Sequence, residues 1–250
     1  MKTLVKPTML LFILTLINTQ SFGQEISAVE ILKNADSVVN APKDIHVFSR
    51  MILTDKKGNE KIRESEMYQK GDKMRLVRFL SPADQKGIGF LSLPNDVMYL
   101  YLPAFRKIRM IASHVKNTNF AGTDFSYDDI SSFKYSEEYD PQLLETRDSV
   151  YVLELIPKPG VEKDYSKLVV QIRKDNFYPI QIDYYDKGGN LWKVMVRKNV
   201  VKKGNYWIAL EMEMKDLKKQ HSTKSITEKI ELDTGLTDKT FTKRNLKKTR

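Results

Sequence analysis

The first regular pattern of apolar positions along the chain has the period of an α-helix. Between residues 28 and 39 the apolar side chains recur every three or four positions, on one helical face: Ala28, Ile31, Leu32, Ala35, Val38 and Val39. Ser27 and Glu30 match a capping box, in which side chains satisfy free backbone amides at the helix start. Asn40, Ala41 and Pro42 end the helix. The pattern predicts one amphipathic helix that must pack against an apolar surface.

After this helix the period changes to two, which is typical of β-strands rich in Val, Ile, Tyr and Leu. The predicted strands cover residues 47–55, 60–70, 73–80, 96–102, 106–111, 150–156, 167–174, 178–186, 191–201, 206–217 and 223–232. Glycine and asparagine, which tolerate positive φ, occupy several connections, at 57–59, 70–72, 188–190 and 203–205. Such short turns join antiparallel neighbours, so the pattern predicts a long antiparallel meander and disfavours a parallel α/β fold.

The faces of these strands indicate the shape of the sheet. In 96–102 both faces are apolar, so both are expected to be covered. The stretch 60–70 is so rich in charge that it predicts an outer or edge strand facing water. We therefore expect a mainly β fold: a curved antiparallel sheet forming a half-open, incomplete β-barrel around the helix. Without a linker or repeat, residues 24–250 are predicted to form a single domain.

One stretch does not fit the meander. Residues Ala112 to Tyr127 have no steady period, yet they include Phe120, Phe125 and Tyr127. Irregular segments of this length are uncommon in compact domains and are often functional. Ser126 and Asp129 match a second capping box. We predict a loop and short helix that form a lid over the concave face; an irregular packing element is the alternative.

The chain begins with the layout of a secretory signal peptide. Lys2 and Lys6 precede a short apolar run at 9–17, and small residues lie before a cleavage position ahead of Gln24. The run is short for a membrane span, although a signal anchor is the alternative. Residues 1–23 are therefore predicted to be removed. Because Gln24 is not a cysteine, we expect an exported, periplasmic product that is soluble and not lipid-anchored.

Composition restricts the chemistry. The chain has no cysteine and three histidines, which excludes thiolate metal sites and thiol catalysis. It lacks a dinucleotide fingerprint, P-loop, nucleophile elbow or HExxH motif. Asp124, Asp128 and Asp129 cluster without the spacing of a calcium loop and are better explained as carboxylates at a helix start. We predict a protein that is not an enzyme, with no catalytic residues, metal or cofactor, although carboxylate-based hydrolysis stays open.

The net charge is +10, from 42 basic and 32 acidic residues. Most lysines alternate with acidic residues on outward strand faces, so we predict no nucleic-acid partner. The densest basic run is the C-terminal end, from Lys243 to Arg250. It is interpreted as a solvated tail, with contact to anionic lipid headgroups or an acidic protein as alternatives.

Three motifs carry a resemblance to a known family. They are FLSPADQKG at 79–87, MYLYLP with RKIRM at 98–110, and FAGTDFSYDD at 120–129. Together they resemble the exported outer-membrane lipoprotein-sorting proteins, a LolA-like and LolB-like group, over most of the mature chain. The resemblance implies an incomplete antiparallel β-barrel with helices covering an apolar cavity for acyl chains. It also implies lipoprotein acyl chains or lipids as partners, and an inner-membrane transporter as a further one.

An acyl site is concave and mostly apolar, with few polar anchors. The candidate ligand-binding residues are Phe79, Phe90, Tyr99, Tyr101, Phe105, Arg109, Phe120, Phe125, Trp192 and Trp207. Among them Arg109 is the candidate for a polar headgroup. The leading hypothesis is a soluble periplasmic carrier or chaperone for lipidated proteins or lipids. The alternatives are an accessory subunit of an envelope exporter with no ligand of its own, and a hydrolase.

Overall fold

The computed structural model describes residues 25–131 and 134–248. The predicted signal peptide, residues 1–23, lies outside the described residues. The helix α1 covers Ala28–Val39, and the Ser27 hydroxyl accepts a hydrogen bond from the Glu30 amide at 3.2 Å, as the capping pattern predicts. Its face with Ile31, Leu32 and Ala35 is buried. Within the described ranges, no helix combines the length and apolarity that crossing a bilayer requires.

Thirteen antiparallel strands form one sheet. They are β1 Asp44–Thr54, β2 Glu60–Lys70, β3 Met74–Ser81, β4 Gly89–Leu93, β5 Val97–Leu102, β6 Lys107–Met110, β7 Tyr139–Thr146, β8 Val150–Pro157, β9 Lys167–Arg173, β10 Pro179–Tyr185, β11 Leu191–Lys203, β12 Tyr206–Asp216 and β13 His221–Leu232. Their order is β6-β5-β4-β3-β2-β1-β13-β12-β11-β10-β9-β8-β7. The sheet is not closed, because β6 and β7 lie at its two ends. The mainly β, half-open fold predicted from the sequence is confirmed.

Two strands were not predicted, because their residues do not alternate between apolar and polar with a period of two. β4 is buried on both faces, so its residues do not alternate between apolar and polar. β7 contains Pro141 and is mostly exposed, which resembles a loop in sequence. Proline is tolerated there because β7 is an edge strand, where a backbone donor can be missing without breaking an interior pair.

The expectation that 60–70 is an outer or edge strand is wrong. β2 lies between β1 and β3 in the interior of the sheet. Its first residues are exposed, but Arg63, Ser65, Glu66 and Gln69 are buried. Their polar groups are buried with partners: Glu66, for example, binds Arg78 of β3 at 2.6 Å. The many charged residues of this stretch predicted a strand exposed to water. Its polar side chains can be buried because they pair across strands and because other segments of the chain cover them.

The connection between β6 and β7 crosses the sheet from one edge to the other. These strands are consecutive in the chain but lie at opposite ends of the strand order. The described residues of this connection, 111–131 and 134–138, hereafter the crossing segment, therefore pass over the concave face, where α1 also packs. The segment ends with the short helix α2, Tyr135–Glu138. The Asp36 carboxylate of α1 accepts hydrogen bonds from the Tyr135 and Ser136 amides at 3.0 and 2.8 Å, which joins the two helices.

The C-terminal residues 233–248 cover the opposite, convex face near β3, β4 and β5. They include α3, Lys243–Leu246. Phe241 and Leu246 pack with Leu76 and Leu91 in one buried cluster. The contact is close: a Cβ on Gly89 would lie 2.8 Å from Leu246 Cδ1. This part of the sheet is thus covered on both sides, as the two apolar faces of 96–102 predicted.

Candidate functional site

The concave face carries two apolar clusters bridged by the crossing segment. The first, hereafter the aromatic cluster, contains Met51, Leu53, Phe79, Phe90, Met98, Ile111, Phe120 and Tyr127. The second, hereafter the helix cluster, joins the face of α1 to β8–β12 and includes Phe125. Ile130 packs against both. The crossing segment therefore supplies side chains to the whole length of the concave interior.

Ring contacts define the aromatic cluster. Phe120 stacks on Phe79 with centroids 5.2 Å apart, and it contacts the edge of Tyr127 at 5.7 Å. Phe90 lies 5.8 Å from Tyr127. The Arg63 guanidinium lies 5.0 Å from the Phe79 ring centre and donates to the Ala121 carbonyl at 2.7 Å. Two of these rings belong to the sheet and two to the crossing segment, so the cluster is an interface between them.

Polar contacts hold the middle of the crossing segment to β13 and β11. The Thr223 hydroxyl donates to Asp124 Oδ2 at 2.7 Å and accepts from the Asp124 amide at 3.0 Å. Nδ1 of His221 lies 2.7 Å from the same carboxylate oxygen. The buried Lys193 ammonium donates to the Asp124 carbonyl at 2.9 Å. Charge-assisted hydrogen bonds in a buried setting are the strong ones, so this group fixes the segment to the sheet.

The second predicted capping box is present. The Ser126 amide donates to Asp129 Oδ2 at 2.8 Å, and the Asp129 amide donates to the Ser126 hydroxyl at 3.0 Å. A turn follows it, and the short helix comes later, at α2. The Asp129 carboxylate also accepts from the Tyr165 hydroxyl at 3.2 Å. Burial raises the pKa of Tyr165 well above its usual value, and the adjacent Asp129 adds to this effect.

A buried lysine holds two carboxylates at the far end of the segment. Lys163 Nζ lies 2.8 Å from Asp128 and 2.7 Å from Glu138. Burial raises the pKa of Asp128 to about 6, against the opposing attraction of Lys163. Burial alone would lower the pKa of Lys163, but its two carboxylate neighbours raise it. Lys163 is therefore the counter-charge that allows Asp128 to be buried, and it also pairs with the half-buried Glu138.

Arg75 of β3 points to the same concave side as Phe79 and contacts the crossing segment. Its Nη1 donates to the carbonyls of Ile130 and Ser131, both at 3.1 Å. Burial, together with repulsion from the Arg197 guanidinium, lowers the pKa of Arg75 to about 10. Two cations thus lie near the part of the crossing segment that precedes α2. Arg75 was not predicted from the sequence. Arg75, Val77 and Phe79 occupy alternate positions of one strand, so the pattern could have placed Arg75 on the same face as Phe79.

Over the described residues, the concave face is filled by the two apolar clusters. The cavity beneath α1 has a volume of about 30 Å³, room for one water molecule. Sites for drug-sized ligands measure roughly 300–1,000 Å³. The residues lining this small cavity are Leu32, Ala35, Asp36, Val39, Asn40, Tyr135, Val170, Ile172 and Pro179. An acyl chain can enter the concave face only if α1 or the crossing segment moves.

The structure separates the predicted ligand-binding residues into several groups. Phe79, Phe90 and Phe120 meet in the aromatic cluster, whereas Phe125 and Trp192 belong to the helix cluster. Tyr99 and Tyr101 pack in the convex cluster beneath the C-terminal segment.

The other three lie outside these clusters. Phe105 and Arg109 are exposed at the β6 edge. Trp207 is half-buried, with the Arg173 guanidinium 5.8 Å from its ring centre. The concave face therefore brings together five of the ten.

The chain is similar in fold and sequence to proteins of known structure. A structure described as an outer membrane lipoprotein-sorting protein domain, from Vibrio parahaemolyticus, matches with a TM-score of 0.82 and 30% identity, covering 88% of this chain and 98% of that one. The chain belongs to the outer-membrane lipoprotein-sorting, LolA-like family. A family profile described only as an uncharacterized protein matches residues 71–248.

Further LolA-like structures agree. A DUF1329 family protein from Desulfovibrio piger has a TM-score of 0.82 and 28% identity, covering 88% of this chain and 97% of its own. A LolA superfamily protein from Nitrosomonas europaea has a TM-score of 0.74 at 22% identity, covering 88% of this chain and 99% of its own, and shows the shared fold. No curated protein sequence matches the chain. The family resemblance seen in the sequence motifs is confirmed.

Proposed function

We propose that this LolA-like protein is a periplasmic carrier that binds acyl chains of lipids or lipidated proteins on its concave face. One observation carries the proposal: the apolar concave face is covered by a connection between the two edge strands and not by a further sheet. Displacing the crossing segment would expose Phe79 and Phe90 without breaking any strand pair. The 30% identical relative described as a lipoprotein-sorting domain supports the ligand class.

The energetics suit an acyl ligand. Each buried methylene contributes about 0.8 kcal/mol, so a long chain can replace the apolar contacts that Phe120 and Tyr127 now make. Moving the crossing segment costs free energy, because the polar contacts of Asp124 and the hydrogen bonds from Arg75 to backbone carbonyls must be broken or remade. Arg75 and Arg197 would then be available to an anionic headgroup. Binding of this kind needs no covalent step, so the proposed protein is not an enzyme.

A direct test is mass spectrometry of a solvent extract of the purified protein, together with titration by a fluorescent fatty acid. Because the chain has no cysteine, a single engineered disulfide can lock the crossing segment to the sheet. In Asp124→Cys/Thr223→Cys, a disulfide would join the crossing segment to β13, because the Asp124 carboxylate and the Thr223 hydroxyl are 2.7 Å apart and the two side chains therefore meet. We expect the oxidised variant to lose uptake of the probe and the reduced variant to regain it. Equal uptake in both states would contradict displacement of the segment.

The filled concave face favours a second candidate function, an accessory subunit of an envelope exporter with no ligand of its own. In that case the crossing segment is a permanent part of the core. No lipid would then copurify, and no fatty acyl probe would bind even to the reduced variant. Uptake that depends on the state of the lock would instead exclude this second candidate.

A further inference from the structure

A second surface lies on the convex side, at the edge of the sheet formed by β5 and β6. A cleft of about 800 Å³ opens there between this edge and α3. The residues lining it are Tyr99, Arg106, Lys107, Ile108, Met110, Lys243, Arg244 and Lys247. The Lys243 ammonium lies 4.1 Å from the ring centre of Tyr99, which fixes α3 against the strand. We call this surface the basic edge.

The charge of the basic edge has one sign. Five of the eight residues that line the cleft are lysine or arginine, and none is aspartate or glutamate. Elsewhere on the sheet exposed lysines lie beside carboxylates: Lys198 is 3.7 Å from Glu211, and Lys229 is 2.8 Å from Glu231. The arginines and lysines of the basic edge are exposed. This concentration of positive charge calls for an anionic partner.

Apolar side chains protrude beside these charges. Phe105 is 64% exposed and Met110 is 68% exposed, the two highest values among the large exposed hydrophobic residues of the described chain. Phe105 lies in the turn between β5 and β6 and is followed directly by Arg106 and Lys107. Aromatic side chains beside clustered cations are suited to the boundary between lipid headgroups and acyl chains. An anionic bilayer offers phosphates to the cations and an apolar layer to Phe105, so it matches both features of this surface.

We propose that the basic edge docks the protein on an anionic phospholipid bilayer, with the cations contacting headgroup phosphates and Phe105 entering the interface. The inference goes beyond acyl binding, since this surface lies on the opposite face of the sheet from the aromatic cluster. α3 is part of the basic edge because Leu246 is buried in the convex cluster and holds the cations of this helix in place.

The test is co-sedimentation with vesicles of phosphatidylcholine alone or with about one third phosphatidylglycerol. We expect binding only to the anionic vesicles, and weaker binding at high salt. Each basic residue near such a surface is worth about a fivefold change in affinity, so Lys243→Gln/Lys247→Gln should weaken binding by roughly 25-fold. The matched control Lys56→Gln/Lys57→Gln removes the same charge from the exposed β1–β2 turn and should change affinity much less.

Insertion has its own readout. In Phe105→Trp, fluorescence emission should shift to the blue when anionic vesicles are added, because the ring leaves water. The oxidised Asp124→Cys/Thr223→Cys variant should bind vesicles as well as wild type, which separates docking from acyl uptake. The proposal is overturned if the protein binds neither kind of vesicle or binds both equally, or if the two lysine double variants lose affinity equally. It is also overturned if the emission of Phe105→Trp does not shift, or if the oxidised Asp124→Cys/Thr223→Cys variant no longer binds vesicles.

Discussion

The Thr223 hydroxyl of β13 and the Asp124 carboxylate of the crossing segment are joined at 2.7 Å, 99 positions apart in the chain. Both residues are buried. The Thr223 oxygen also accepts from the Asp124 amide. This reciprocal pair fastens the centre of the crossing segment to the sheet, next to the point where Phe120 and Phe125 diverge into the two concave clusters.

Thr223→Val should loosen the crossing segment. The Asp124 amide and carboxylate lose a buried partner, which costs about 1–3 kcal/mol of unfolding free energy. Chemical denaturation measures that loss, and hydrogen exchange should accelerate for the amides of residues 118–127 more than for β13. Thr227→Val, on the same strand away from Asp124, is the control. If exchange at 118–127 stays as slow as in the central strands, the segment is ordinary core.

Leu32→Ala should destabilise the fold strongly. The side chain is 1% exposed in the helix cluster, so truncation leaves a cavity and should cost about 2–5 kcal/mol. Val29→Ala is the control on the same helix, because Val29 is 49% exposed, and it should cost less than about 0.5 kcal/mol. Denaturant unfolding compares the two. A negligible loss for Leu32→Ala would mean that α1 is not firmly packed.

Lys163→Met should destabilise the protein by about 3 kcal/mol at pH 8, because Asp128 and Glu138 then lose their buried counter-charge. The loss should shrink at pH 5. The folded-state pKa of Asp128, about 6, is above its unfolded value of 3.8, so the native state holds the proton more tightly. The stability from this shift is full below 3.8 and is lost as pH rises through 6. Denaturation at both pH values tests this, and equal losses would contradict the buried charge.

Asp44→Asn should weaken the attachment of the C-terminal segment. The carboxylate accepts hydrogen bonds from the amides of Thr234, Gly235 and Leu236 at 2.8–3.0 Å. Burial opposes ionisation, but these bonds outweigh it and lower the pKa of Asp44 below 3.8. Its contribution is therefore present above 3.8 and lost as pH falls through the folded value.

We expect Asp44→Asn to cost about 1–3 kcal/mol at neutral pH and to move toward wild type at an acid pH below 3.8. Unfolding curves at the two pH values give the comparison. Asp148→Asn, at the exposed β7–β8 turn, is a control that should change little at either pH. A loss for Asp44→Asn that is equally large in acid would show that the carboxylate charge is not what holds the segment.

Local pattern was enough to predict the helix, eleven of the strands and the antiparallel class, because each depends on side-chain period and turn chemistry. Both capping boxes were visible for the same reason: their partners are three residues apart. The motif around Phe120–Asp129 also indicated the family. The period of two did not predict β4, because β4 is buried on both faces. It did not predict the edge strand β7 either, because β7 contains Pro141 and is mostly exposed.

Tertiary structure alone decided which aromatic residues share a face. Phe79, Phe90 and Phe120, from three different segments of the chain, share the concave cluster, whereas Tyr101 enters the convex cluster. The buried charges were equally hidden, since Glu66 is sheltered only because Arg78 and the C-terminal segment come from elsewhere in the chain. Sequence determines what a residue can do locally. Partners 58 to 190 positions away, such as Arg63 with Ala121 and Asp44 with Thr234, exist only once the sheet has formed.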